Sequence, residues 1–192
     1  MSPEMFRGDD EDNLIVAQIV SGQKELFRLL IKRHERAVYG MGMSFLHNAE
    51  DASDFTQEVF LKIFQNLDRF EGRSRFSTWL YKIAYNTAIN NVNRKKEYFS
   101  LVEDEIATEN DNPERKLLKN LAREAVLEAI KGLPERFRVC VDLFFFYDRS
   151  YSEIEEIIGY PVNTIKSHVF RAKKILREKL AVYAGFGQGG AE

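Results

Sequence analysis

The window from Glu97 to Glu114 constrains this chain most: it holds seven acidic residues and no basic one, carries Pro113, and lies between two stretches with helical apolar spacing. A segment so charged and so poor in aromatics buries too little apolar surface to fold by itself. It therefore reads as an acidic flexible linker over 97–113 that divides the 192 residues into two small bodies, 12–96 and 114–183. Bodies of roughly 70 to 90 residues are large enough for one helical core each. The glycine-rich stretch 184–192 reads as a disordered tail.

Both bodies are expected to be all-α. In the first, Phe55, Val59, Ile63 and Leu67 recur every four residues, and no Asn-Gly or Asp-Gly hairpin signal or alternating strand pattern of useful length interrupts the helical period. The spacing predicts a helix over 12–20 that stops at Ser21-Gly22. A second carries Leu26, Phe27, Leu30, Ile31 and Val38, with Gly40 and Gly42 weakening its last turns. A third spans 49–67, and a fourth spans 76–94 with Trp79, Leu80, Ile83, Ala84 and Ala88 inward. The second body is expected to hold helices over 114–131, 135–147, 152–158 and 163–182.

Charge and composition exclude several classes. The net charge of −2 argues against indiscriminate nucleic-acid binding, and the single cysteine, Cys140, rules out an internal disulfide or a cysteine zinc cluster. The acidic N-terminus lacks the basic start and apolar core of a signal peptide, and the most apolar run, Val139 to Tyr147, contains Asp142 and falls far short of the roughly 20 residues that span a bilayer. A cytoplasmic protein without membrane insertion is expected. His34, His47 and His168 stand alone, so no metal site, cofactor or catalytic constellation is expected, and the chain does not read as an enzyme.

Residues 150–166 have helix-turn-helix lengths. Ser152 with Glu155 forms a capping-box pattern, Gly159 suits a left-handed helix end, and Asn163 suits the N-cap of the next helix. Ile165, Val169, Ala172 and Leu176 share one face of that helix. Asn163, Thr164, Lys166, Ser167, His168, Phe170, Arg171 and Lys174 are the candidate duplex-binding residues, and six Lys/Arg against one acid lie between Tyr160 and Leu180. Such a helix suits a major groove, with its N-terminus near a phosphate and Phe170 within reach of a thymine methyl.

The first body is more specific. Residues 51–64 (DASDFTQEVFLKIF) and 70–86 (FEGRSRFSTWLYKIAYN) closely resemble region 2 of bacterial sigma factors, most of all the extracytoplasmic-function (ECF) group, sigma-E-like in type. Leu133-Pro134-Glu135-Arg136-Phe137-Arg138 and Pro161 to Ser167 resemble region 4, so the likeness covers about 12–182. The resemblance implies that Asp54, Gln57, Glu58 and Leu61 contact core RNA polymerase at the clamp coiled coil, and that the polymerase flap is a second contact. It implies that Phe70, Arg73, Phe76, Trp79, Lys82 and Asn86 take up the melted minus-ten strand, that the second body reads the minus-thirty-five duplex, and that an anti-sigma factor restrains the protein.

The physical chemistry of 68–96 agrees: seven Lys/Arg against two acids, interleaved with Phe70, Phe76, Trp79, Tyr81 and Tyr85, suit single-stranded DNA. Phe76 and Trp79 also fit a core. Lys82 and Lys166 stand where many relatives have arginine, and lysine gives a point contact rather than a fork onto guanine, so the promoter sequence does not carry over. Two other readings stay open on the sequence: a helix-turn-helix repressor with a palindromic site, and a polymerase-binding adaptor that activates no promoter.

Overall fold

A computed structural model describes residues 4–100 and 119–184, so most of the expected linker and tail lies outside the described residues. Every regular element among the described residues is helical: α1 (Glu4–Val20), α2 (Phe27–Leu46), α3 (Ala49–Gln65), α4 (Phe76–Ser100), α5 (Lys119–Lys131), α6 (Glu135–Val141), α7 (Tyr151–Ile158) and α8 (Val162–Ala184). Two compact units result, with α1–α4 in one and α5, α6 and α8 in the other.

In the first unit α2 lays Phe27, Leu30, Val38, Met41 and Phe45 against Ala52, Phe55, Val59 and Ile63 of α3, and α4 closes the bundle with Leu80, Ala84 and Ala88. Gly42, which weakens α2 by propensity, has a packing reason. A Cβ there would stand 2.7 Å from the Phe55 ring and 3.1 Å from the Ala52 backbone, so glycine permits the close crossing of α2 and α3. Asn48 starts α3 by accepting from the amides of Glu50 and Asp51, whose carboxylates also complement the positive end of the helix. The stop after α1 falls where Ser21-Gly22 places it, with Gly22 at φ 119°.

The second unit packs Leu133, Phe137 and Val141 onto Ala172, Ile175 and Leu176 of α8. Five helix ends differ from the expectations. The first helix begins at Glu4 rather than Asp12, and α4 continues to Ser100, four residues into the expected linker. The helix expected over 135–147 ends at Val141 and widens into a π turn over Asp142–Phe146 that Tyr147 closes by donating to the Asp142 carbonyl at 3.1 Å. The capping box belongs to Ser150 and Glu153, two residues before the expected pair. Glu153 is the better partner because its carboxylate accepts from the Ser150 amide, the Ser150 hydroxyl and Arg149 at once. Finally, α8 starts at Val162 with the Pro161 carbonyl taking the Thr164 and Ile165 amides, so Asn163 lies inside the first turn instead of capping it.

Candidate functional site

Three surfaces carry the candidate residues. On α3, Asp54, Gln57 and Leu61 follow one another at spacings of three and four and are all exposed, Leu61 by 57%. Glu58 leaves this stripe and turns toward α4. It accepts from Lys62 Nζ at 2.7 Å and Asn91 Nδ2 at 3.0 Å, with Arg94 3.9 Å away. Burial pushes the Glu58 carboxyl up, but these two hydrogen bonds and the charges of Lys62 and Arg94 outweigh it and hold the group below its ordinary value. The Lys62 ammonium also reaches Thr87 Oγ1 at 3.2 Å, so the pair ties α3 to α4.

The second surface surrounds the start of α4. Phe76 is wholly buried; Phe70 packs edge-on to it at 5.8 Å and meets Trp79 at 5.4 Å, and both Phe70 and Trp79 are half-buried. From Trp79, spacings of three and four lead to Lys82 and Asn86, both exposed, so that the half-buried aromatic pair and the polar groups line one face. Arg73 stands on the intervening loop, 85% exposed in its side chain and ion-paired to Glu71 at 2.5 Å, beside Gly72 at φ 68°. The fold thus brings Phe70, Trp79, Lys82 and Asn86 together. Phe76 lies beneath them as support, with no face free to stack.

The third surface is the outer face of α8. Asn163, Ser167, Phe170 and Lys174 form an exposed stripe flanked by Lys166 and Arg171; Phe170 is 71% exposed and Thr164 half-buried at the helix start. His168 sits off this stripe. Its ring lies 5.1 Å from Phe137 and 5.6 Å from Tyr160, and Nδ1 is 3.8 Å from the Cys140 sulfur. Burial, then the charges of Arg136 and Arg171, push its pKa down, so the imidazole is neutral at pH 7. Burial alone raises the Cys140 thiol to about 11, which keeps it protonated and inert.

Among the described residues no group of three His, Cys, Asp or Glu could hold a metal, and no helix is long and apolar enough to cross a membrane. Sequence reasoning passed over Asn13 and His34, which meet Phe76 at the start of α4 from 63 and 42 residues away, and Asp12, which meets His34 from 22 residues away; none leaves a local signal.

Comparison with known proteins decides the family. The Sigma-70 region 2 model matches residues 30–98 and the Sigma-70, region 4 model matches 123–176. The RNA polymerase sigma-H factor of Pseudomonas aeruginosa is 33% identical over 182 residues, 89% of this chain and 94% of that relative. The chain belongs to the ECF group of the sigma-70 family.

The ECF RNA polymerase sigma-E factor of Escherichia coli (strain K12) is similarly close, 34% identical over 88% of this chain and 94% of its own length. In fold, this sigma factor resembles CnrH in its complex with the cytosolic domain of CnrY (TM-score 0.67, 24% identity, 89% of this chain and 97% of that one). It also resembles the Bartonella quintana sigma factor RpoE in complex with the anti-sigma factor NepR (TM-score 0.66, 22% identity, 81% and 97%). It is a transcription initiation factor rather than an enzyme, and the repressor alternative falls away.

Proposed function

We propose that this sigma factor docks on core RNA polymerase through the α3 stripe of Asp54, Gln57 and Leu61, captures the melted minus-ten strand at Phe70, Trp79, Lys82 and Asn86, and reads the minus-thirty-five duplex with α8. The observation that carries the reading is the α4 patch, where a half-buried aromatic pair leads directly into an exposed lysine and asparagine. Aromatic stacking contributes about 1 to 3 kcal/mol per unpaired base, and a cation beside it tracks the backbone in a salt-dependent way, which together offset local strand opening. Arg73, on the open side of the loop, supplies a second positive charge to an extruded base and its phosphate.

On α8, Ser167 and Phe170 face outward at the level of base edges, while Lys166, Arg171 and Lys174 neutralise phosphates on either side and Asn163 and Thr164 add donors at the helix start. His168, neutral and packed on Phe137, supports the helix rather than adding charge. Phe76 supports the loop, and Glu58 sets α3 against α4. The body carrying 12–96 thus holds polymerase and the opened strand, and 114–183 holds the duplex and the polymerase flap, with the acidic segment beyond Ser100 joining them in sequence. The protein works in the cytoplasm, where polymerase is, and an anti-sigma factor restrains it, as NepR is found with RpoE of B. quintana.

Adding the purified protein to sigma-free core polymerase on fragmented genomic DNA of its host, then sequencing RNA 5′ ends, tests this. New starts sharing a two-part upstream motif are expected, with loss on Asp54→Ala/Gln57→Ala. Binding to core without new starts would instead establish the adaptor.

A further inference from the structure

Asp12 is 1% exposed, a position in which a carboxylate is costly unless paired. Its Oδ1 accepts from Arg33 Nη1 and its Oδ2 from His34 Nε2, each at 2.6 Å, while Glu11 takes the other terminal nitrogen of Arg33 at 2.6 Å. The next residue reaches a different helix: Asn13 Oδ1 accepts from the Phe76 amide at 3.1 Å. That amide is the first of α4, one of the donors that a helix start leaves without a partner of its own, so α1 caps α4 from 63 residues away. The His34 ring completes the arrangement at 5.7 Å from the Phe76 ring.

A buried ion pair is weak evidence for stability, because apolar residues of similar volume often serve as well, and its firmer use is to select one geometry. Here the geometry selected is the point at which the loop 70–75 becomes helix. Everything in the α4 patch depends on that point: Phe70 rests on Phe76, Trp79 rests on both, and Lys82 and Asn86 follow in register.

We propose that Asp12, Asn13 and His34 are positioning residues for strand capture: they fix the first turn of α4 from α1 and α2, and so shape the Phe70–Trp79 surface without touching DNA themselves. The inference rests on the reading of that surface as the minus-ten site.

The test uses the full-length protein with core polymerase and a promoter fragment recovered from the wild-type transcripts, carrying 2-aminopurine in its minus-ten element. Asn13→Ala, His34→Ala and His34→Gln are compared at a temperature at which circular dichroism shows all of them folded. Asn13→Ala and His34→Ala should leave core affinity unchanged and lower the open-complex signal roughly fivefold to tenfold, the effect of a lost helix cap. His34→Gln, which keeps a nitrogen donor toward Asp12, should restore most of the signal. Opening at the wild-type level in Asn13→Ala and His34→Ala, or a fall in core affinity of the same size, would overturn the proposal. A wild-type holoenzyme that transcribes this fragment without a 2-aminopurine change would remove the strand-capture reading itself, and the inference with it.

Discussion

On α8 the candidate DNA-reading side chains stand clear of the fold, with Phe170 71% exposed and the core residues Ile165, Val169 and Ala172 on the opposite face. Around the start of α4 the candidate residues and the core are the same cluster: Phe76 is wholly buried, Phe70 packs edge-on to it and Trp79 lies tilted against it. The contrast fits the two tasks proposed for them. A duplex presents a rigid groove that an outward row of side chains can enter, whereas an unpaired base must be held on an aromatic surface whose position is fixed beforehand. On the proposed reading, recognition on α8 is separable from stability, and recognition at α4 is not.

The largest effect that could break this contrast is on stability. Phe76→Ala should cost about 3 to 5 kcal/mol, as large-to-small changes at buried aromatics do, while Phe170→Ala should stay within about 0.5 kcal/mol of wild type in urea unfolding. Equal losses would mean that the two surfaces are built alike. Promoter binding sharpens it next. By holoenzyme gel shift on a matched promoter, Phe170→Ala should weaken minus-thirty-five binding by about tenfold, the size of one mismatched base pair.

A smaller change is expected at Lys82. Lys82→Ala should reduce the slope of log affinity against log salt by about one, and it should do so on templates carrying an opened minus-ten strand, where a phosphate contact is lost.

The smallest predicted effect is in acid. His168 has its pKa lowered from 6.5 by burial and by Arg136 and Arg171, so the fold favours its neutral form; that stability is present above pH 6.5 and is lost as pH falls below it. Glu58 is held below 4.5, so its contribution persists until pH falls below that value. A thermal melt followed from pH 7 downward should show the second unit weakening first, and His168→Gln should remove that early step while leaving the Glu58 step in place.

Much of this was legible in the sequence. The apolar period of Phe55, Val59 and Ile63 gave α3 and its buried face, and the mixture of Lys/Arg with aromatics over 68–96 marked the α4 patch. Cap positions were less legible, since Ser150-x-x-Glu153 and Ser152-x-x-Glu155 are equally good patterns and only the extra partner Arg149 favours the first. The packing of Glu58 was hidden for a similar reason. Helical spacing put it with Asp54 and Gln57, but its partners Asn91 and Arg94 lie 33 and 36 residues on, where only the packing of α3 on α4 brings them near. The Asp12–His34 and Asn13–Phe76 contacts were invisible for the same physical reason: no local rule links residues that meet only through tertiary structure.

Open-complex formation on a fully paired promoter and on one with a pre-melted minus-ten bubble, compared for wild type, Lys82→Ala/Asn86→Ala and Phe170→Ala, tests the division of labour most directly. The bubble should partly restore Lys82→Ala/Asn86→Ala, because strand opening no longer draws on those contacts, and should leave the Phe170→Ala defect unchanged. Equal restoration of both variants, or of neither, would contradict that division.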